Sequence, residues 1–517
     1  MFFDEVCNMT LHWVTYLHVF VAYLALPVPI GIIGGWRWGV WVLRRVVGMF
    51  YRPIKPNGYW TTTSVVTPVY NETPEVFRAA LRSWAANGPT EIIAVIDHSD
   101  GRCMQVFREF AKEHAGTKLQ LKLVVTKKPG KRPALVDGMR ASMGEVVFLV
   151  DSDTIWGKDV LLNALAPFVD PKVGGVTTRQ NVLAPNTVAQ RLFDLYLDVR
   201  YMDEIRFLTA FGDVVTCLSG RTAVYRSKAV LPVLDALLHE TFLGRPVISG
   251  DDKALTLLVQ AQGWKVRYQE TARVYTPGTT SMSSFLKQRL RWARNSWRAD
   301  LKALGSGWTW REPVLVFHLL DRLVQPLTTL IAPLYLAYSV VERHWLAVFI
   351  LFFWWFVSRA FKIWPHLRRT HWDLSILPWY VFFSYWTAIV KIYAFFTMNQ
   401  QGWITRWNRN RMRLAGPLQM APGYTFTVVT VALMAWFVNS LNYQATAHAL
   451  TPGQPVALIF QQAVQPLTTD TTGLFAWPAP FCKDKPALIS LPQERLIAFS
   501  GEADFTPNTA IDPQRTD

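Results

Sequence analysis

Cysteine is scarce in this chain. The four residues Cys7, Cys103, Cys217 and Cys482 show no CxxC pairing and no neighbouring histidine cluster. That excludes the usual zinc patterns and a fold stapled by disulfides. Acidic residues are also in deficit, 37 against 53 Lys and Arg, for a formal net charge of +16. The counterpart is nucleic acid, anionic lipid or an anionic substrate, and only the placement of the charges separates these. A cleavable signal pattern is missing too. The first apolar run follows the acidic stretch MFFDEVCNMT and lacks a small-residue cleavage site, so it reads as a retained anchor.

Apolar residues make up 51% of the chain, yet 17% are charged, more than short-looped membrane proteins carry, so the chain reads as part membrane and part soluble. Trp13 to Ile33 is long enough to span. The arginine-rich stretch after it puts Arg44 on the cytosolic side, and Trp36 to Tyr51 reads as an interfacial helix. Further spans are predicted at Pro313 to Val341, Trp345 to Phe361 and Tyr424 to Val438. Leu374 to Met398 has basic flanks on both sides and contains Pro378 and Lys391, which favours a re-entrant or interfacial helix. The basic excess therefore flanks apolar runs, which assigns it to a membrane surface and not to nucleic acid. Asp321 and Arg322 lie about 12 to 14 Å along their helix, too deep to face lipid without cost, and are expected to face protein or a watery channel.

Four parts follow: an anchor and basic segment over 1–57, a soluble domain over 58–298, interfacial and membrane helices over 299–441, and a Pro-rich outer tail over 442–517. Within the soluble part, short β-type runs alternate with amphipathic stretches, the βαβ pattern of a mainly parallel sheet. The clear strands are Thr61 to Val66, Glu91 to Ile96, Leu119 to Val125 and Glu145 to Val150.

Each strand closes on a polar segment, where ligands bind at the carboxyl ends of such a sheet. FLVDSDT runs into Asp151 and Asp153, a pair that either holds a hard divalent cation or forms a solvated turn. TPVYNE and AVIDHSDG place Tyr70, Glu72 and Asp97 on adjacent loops suited to a nucleobase and ribose. KKPGKRPAL adds a basic loop containing Lys131. SGDDKALTL sets Asp251 and Asp252 ahead of a helix, either as a general base or as a cap. In QRLRW, Gln288, Arg291 and Trp292 fall on one helical face, where Arg suits a diphosphate and Trp a sugar ring; a basic face lying on lipid is the alternative.

Taken in order, Asp97, DSD at 151–153, GDD at 250–252 and QRLRW at 288–292, followed by membrane helices, resemble the inverting family-two processive glycosyltransferases: hyaluronan, chitin and cellulose synthases. GKRPAL, VDSDTIW, GGVTTRQ, CLSGRTAVYR, HETFLG and QRLRWA most resemble the hyaluronan-synthase-like branch. The likeness runs from about Thr61 to Trp407. It implies an α/β glycosyltransferase-A-type (Rossmann-like) cytosolic domain inserted between transmembrane and interfacial helices of the cell membrane. It further implies UDP-sugar donors, UDP-glucuronate among them, a growing β-linked polysaccharide as acceptor, and surrounding membrane lipid. By the same resemblance Asp97 and Lys131 touch UDP, and Asp153, with Asp151 nearby, binds Mg2+ or Mn2+. Asp252 is the general base, and Gln288, Arg291 and Trp292 hold the diphosphate and the acceptor. GWITRW resembles the WGTR element of hyaluronan synthases, making Trp403, Thr405 and Arg406 a gate over the donor. Transfer of a single sugar to a membrane lipid is the competing reading, since lipid glucosyltransferases share such an RW helix.

Overall fold

The computed structural model describes residues 28–401 and 417–449. The chain divides into two compact units, Met1–Thr451 and Pro452–Asp517, and the second lies wholly outside the described residues. Most of the expected first span, the tail, Cys7 and Cys482, and the gate residues Trp403, Thr405 and Arg406 also lie outside them.

Apolar residues alternate between two faces in the central strands, and each face finds its own helices. Strands β1 (Thr63–Val69), β2 (Glu91–Asp97), β3 (Gln120–Thr126) and β4 (Val146–Leu149) include all four predicted runs. Val66, Ile93, Val95, Val147 and Leu149 pack to one side, against Ala134, Leu135 and Met139 of a helix that follows β3. Val65, Ile92, Ala94, Ile96 and Phe148 pack to the other, against Phe77, Trp84, Phe107 and Phe110. Burial on both faces explains why these strands read as nearly continuous apolar runs. Of the helices involved, α1 (Val28–Gly48) precedes the sheet, α2 (Pro74–Ala85) and α3 (Gly101–Glu113) cover one face, and α4 (Lys131–Arg140) covers the other.

The sheet continues through β5 (Ile155–Trp156), β6 (Val173–Val182), β7 (Ala223–Arg226) and, past a small β8–β9 hairpin (Thr241–Phe242 and Arg245–Pro246), β10 (Lys265–Thr276). Its order is β3-β2-β1-β4-β7-β6-β10-β5. β7 runs antiparallel to both β4 and β6, and β5 antiparallel to β10, so the sheet is mixed where the alternating pattern predicts a mainly parallel one. The chain leaves β1 outward through β2 and β3, then returns to β1's other side at β4. That reversal is the switch point where the carboxyl ends of strands open a crevice.

Helices α5 (Val188–Val199), α6 (Asp251–Ala261) and α7 (Met282–Leu304) complete the soluble part, followed by α8 (Pro313–Val341), α9 (Trp345–Lys362), α10 (Trp364–Arg369), α11 (Leu377–Phe396) and α12 (Pro417–Ala449). Among the described residues three helices are long and apolar enough to cross a membrane: Pro313–Val341, Trp345–Lys362 and Ala421–Ser440 within α12. α11 is not one of them. It packs against α7 and α8, with Lys391 Nζ donating to Gln325 Oε1 at 2.9 Å.

The expected break between a span ending at Ile33 and a separate interfacial helix from Trp36 is not observed, because α1 runs unbroken from Val28 to Gly48. The reason lies far away in sequence. Arg37 and Arg44, two turns apart, both reach Asp321 of α8 at 2.8 Å, so the basic face turns inward instead of onto headgroups. Asp321 and Arg322 both face protein, as expected, and toward different partners: Arg322 meets Glu204 at 3.4 Å and Asp300 at 3.6 Å. Glu204 and Asp203 are presented by a π-helical turn, Arg200–Ile205, that continues α5.

Removing Asp321 alone strands two partly buried guanidinium groups. We expect Asp321→Leu to lower the unfolding free energy in detergent by about 3 kcal/mol. The triple variant Arg37→Met, Arg44→Met, Asp321→Leu should recover most of that loss in the same thermal melt.

Candidate active site

Three strand ends and two helix starts converge on one cavity of about 1460 Å³. β1 ends in Tyr70, Asn71 and Glu72, β2 in Asp97, and β4 in Asp151, Ser152 and Asp153. The loops are tied together. Ser152 Oγ donates to Glu72 Oε2 at 2.9 Å, and Asn71 N, in a left-handed conformation, donates to Asp100 Oδ2 at 2.7 Å. Asp97 is turned into its own loop, accepting from Ser99 N at 2.9 Å and from Ser99 Oγ at 2.6 Å.

Lys131 begins α4 and joins the two halves of the site. Its Nζ lies 2.6 Å from Asp151 Oδ1 and 3.5 Å from Asp251 Oδ2. Burial acts to lower the Lys131 ammonium, but Asp151 and Asp251 outweigh it and hold the group above its usual value. Burial likewise opposes ionisation of Asp151, and Lys131 overcomes that, keeping its carboxyl below the usual range. Asp153 goes the other way, raised by burial and then by the like charge of Asp151. Its hydrogen-bond partners among the described residues are the hydroxyls of Thr276 at 3.3 Å and Thr154 at 3.4 Å. A half-buried carboxylate with hydroxyl partners and a second acid two residues away fits a hard divalent cation, which would relieve that repulsion.

Among the described residues, one group of three metal-ligand-type side chains comes together elsewhere: Asp194, Asp198 and His366. Its carboxylates are already engaged: Arg179 pairs with Asp198, and Arg369 with both acids. That cluster is an ion-pair hub.

Gly250 sets the acid pair at the start of α6. It adopts φ 82°, and an added Cβ would lie 3.1 Å from Asn295 Cβ of α7. Asp251 and Asp252 thus occupy the first turn of α6, with Asp252 Oδ1 accepting from Lys253 N at 2.8 Å. Burial, with Asp252 close by, pushes the Cys217 thiol up to about 12. From α7, Gln288, Arg291 and Trp292 all line the cavity, together with their neighbours from Lys287 to Trp297. Burial pushes the Arg291 guanidinium below its usual value, although Asp251, Asp252 and Asp151 draw it upward.

Every proposed site residue that falls in the described residues lines this cavity: Tyr70, Glu72, Asp97, Lys131, Asp151, Asp153, Asp251, Asp252, Gln288, Arg291 and Trp292. In the basic loop only part of the charge points here. Arg132 is buried against Glu240 at 2.8 Å and the carbonyl of Leu237 at 2.9 Å, a structural role. The sequence reading did not single out Arg221. It donates to Gln180 Oε1 at 3.0 Å and lies over Phe193 at 4.8 Å and Trp292 at 5.4 Å. Its signal was the SGR inside CLSGRTAVYR, which carries no spacing rule that points to chemistry.

Residues 61–295 match the family described as "Glycosyltransferase like family 2". An N-acetylglucosaminyltransferase of Azorhizobium caulinodans is 31% identical over 46% of this chain and 61% of its own length, so the chain spans about three fifths of that relative. An NDP-glycosyltransferase of Aspergillus luteorubrus, LtbB, is 28% identical over 74% of this chain and 98% of its own length. Among solved structures, the Pyrobaculum calidifontis mannosyltransferase PcManGT, in complex with GDP-Man and Mn2+, superposes with a TM-score of 0.51 at 20% identity, covering 70% of this chain and 99% of that one. The chain therefore has the GT-A-type fold, and residues 61–295 are similar to the family-2 glycosyltransferases.

Gly250 provides a local test. Gly250→Ala combines left-handed strain with the Asn295 contact, whereas Gly244→Ala, at φ 73° with no atom within 4 Å, has the strain alone. Gly244→Ala should cost about 1–2 kcal/mol in a thermal melt, and Gly250→Ala measurably more.

Proposed function

We propose that the protein is an inverting, processive glycosyltransferase. It polymerises UDP-sugars, UDP-glucuronate among them, into a β-linked polysaccharide and moves the product across the cell membrane, with the catalytic domain cytoplasmic. One observation carries this reading. Asp151, Asp153 and Asp252 line the same cavity as Trp292, Arg322 and Gln325 of α8, Trp355 of α9 and Ala388 of α11. Donor-side acids and membrane helices share one space. The names of the relatives support transfer of a sugar from a nucleotide; the hyaluronan-synthase-like branch rests on the motifs alone.

In this reading Tyr70, Glu72, Asp97, Lys131 and Asp151 receive the UDP, and Asp153 is the carboxylate that holds Mg2+ or Mn2+. The chemistry supplied by such an ion is neutralisation of charge on the diphosphate. Asp252, with Asp251 beside it, takes the proton from the acceptor hydroxyl. The acceptor oxygen attacks the anomeric carbon in line as the bond to the diphosphate breaks, and one displacement inverts the anomer. Arg291 meets the negative charge that builds on departing UDP. Gln288 and Trp292 hold the acceptor end, Trp292 as a flat face for a sugar ring. Trp403, Thr405 and Arg406 form a gating loop that closes over the donor. The four-part division at 57, 298 and 441 matches these roles: anchor, catalyst, membrane passage and outer tail.

Asp153→Asn and Asp252→Asn should fail differently. The first should weaken Mn2+-dependent UDP binding about tenfold or more. The second should leave UDP binding near normal while lowering turnover by about 10²–10⁴. Calorimetric titration with UDP and Mn2+, beside a UDP-release assay, reads both; equal loss of binding in the two variants contradicts the assignment.

A further inference from the structure

The cavity wall beyond Trp292 is basic in an unusual way. Arg200, Arg289, Arg359, Lys362 and Lys391 all line it, and none of them makes an ion pair among the described residues. The acids on the same wall are taken: Asp203 by Arg45 at 2.5 Å, Glu204 by His318 at 3.2 Å and Arg322 at 3.4 Å, and Asp300 by Lys253 at 2.5 Å. The five cations have neutral partners instead. Arg200 donates to the Cys217 carbonyl at 3.1 Å, Arg359 to the Tyr385 hydroxyl at 3.2 Å, and Lys391 to Gln325 Oε1 at 2.9 Å; Lys362 sits 4.7 Å from the ring of Trp38.

Arg289 is the least satisfied. Its Nε and Nη2 are buried without a hydrogen-bond partner, as is Oε1 of the preceding Gln288. Rings surround its guanidinium: Tyr196 at 4.4 Å, Phe285 at 4.8 Å and Trp292 at 5.5 Å. Burial, with Arg221 and Arg200 adding like charge, pushes it down to about 10. Cation–π contacts offset part of the several kcal/mol it takes to bury an ion, at about 2 kcal/mol or less per ring, but they leave Nε and Nη2 without an acceptor. A wall with several such cations and no free carboxylate is electrostatically complete only when an anion enters.

We propose that this wall is an acceptor subsite that reads acidic saccharide: Arg289, supported by Lys391 and Arg359, takes a carboxylate carried by the acceptor on the far side of Trp292 from the donor. The inference rests on the glycosyltransferase reading above, in which the polymer already carries uronate, and adds the residues that recognise its carboxylate. Aromatic side chains interleave with the cations, Trp292 and Tyr196 beside Arg289 and Tyr385 beside Arg359, and such flat apolar faces suit sugar rings better than a lone phosphate headgroup.

The test uses the full chain in neutral detergent and measures equilibrium binding of three probes. These are a β-linked uronate-containing tetrasaccharide, its neutral methyl ester, and a polyprenyl phosphate. The acid should bind at least about tenfold tighter than the ester, with the difference shrinking as salt rises. Arg289→Gln and Lys391→Gln should each cut that preference severalfold, and Arg289→Lys should restore part of it. UDP affinity on the same samples checks that the variants are folded, and Lys391→Gln, outside the aromatic box, is the safer of the two. Equal binding of acid and ester, or an Arg289-dependent preference seen only with polyprenyl phosphate, overturns the proposal. UDP release from UDP-sugars by the wild type, measured alongside, fails only if the glycosyltransferase reading itself fails.

Discussion

A chain of buried and half-buried ion pairs and hydrogen bonds joins the helix that carries Asp252 to the first long apolar helix after the sheet domain. Lys253, the next residue on α6, meets Asp300 of α7 at 2.5 Å, and Asp300 meets Arg322 of α8 at 3.6 Å. Arg322 meets Glu204, Glu204 meets His318, and one turn on Asp321 is held by Arg37 and Arg44 of α1. Charges at such depth are costly unless paired, and each pair here lies between elements distant in sequence. The arrangement has few alternatives: sliding α8 by a turn would orphan several of these groups at once. The wall that α8 gives the cavity is thereby fixed relative to the general-base candidate. On the proposed reading, that is what keeps a growing chain in line with the site of transfer.

A second hub secures the other side. Asp194 and Asp198 of α5 accept from Asn181 of β6 and from Arg369 of α10, and His366 Nδ1 lies 2.7 Å from Asp198. Burial acts against charge on Asp198, but His366, Arg179 and Arg369 hold its carboxyl well below the usual range. The short helix after α9 is thus locked to β6, the strand that carries Gln180, the partner of Arg221. Arg221 in turn lies over Trp292, so the polar hub reaches Trp292 through Gln180 and Arg221.

Much of this was legible in the sequence wherever a local rule operates. β1, β2 and β4 announce themselves as apolar runs because both sheet faces are covered. Asp151 and Asp153 sit at a strand end because FLV runs straight into them, and Gln288, Arg291 and Trp292 share a face through the helical repeat. What escaped depends on distant partners. The antiparallel placement of β7 between β4 and β6 is a choice of register among strands some 50 to 80 residues apart, with no local signature. The continuity of α1 through its arginines is decided by Asp321, 284 positions beyond Arg37. Arg132 and Lys131 look alike in the basic loop, yet the first is tied to Glu240 and the second to Asp151, a difference set by which way the start of α4 faces. Arg289 within QRLRW counts in the sequence only toward a basic face lying on lipid, because its surroundings depend on the rings of Tyr196 and Phe285 closing around it.

The account stands or falls on one cavity serving both transfer and passage. The direct measurement places purified protein in sealed neutral-lipid vesicles and supplies UDP-sugars and Mn2+ from outside. UDP release and the size and location of the labelled product are then followed. The account predicts high-molecular-weight glycan that resists a hydrolase added outside and becomes sensitive once detergent opens the vesicles. A product of one sugar on lipid, or a polymer wholly accessible from outside, would contradict it.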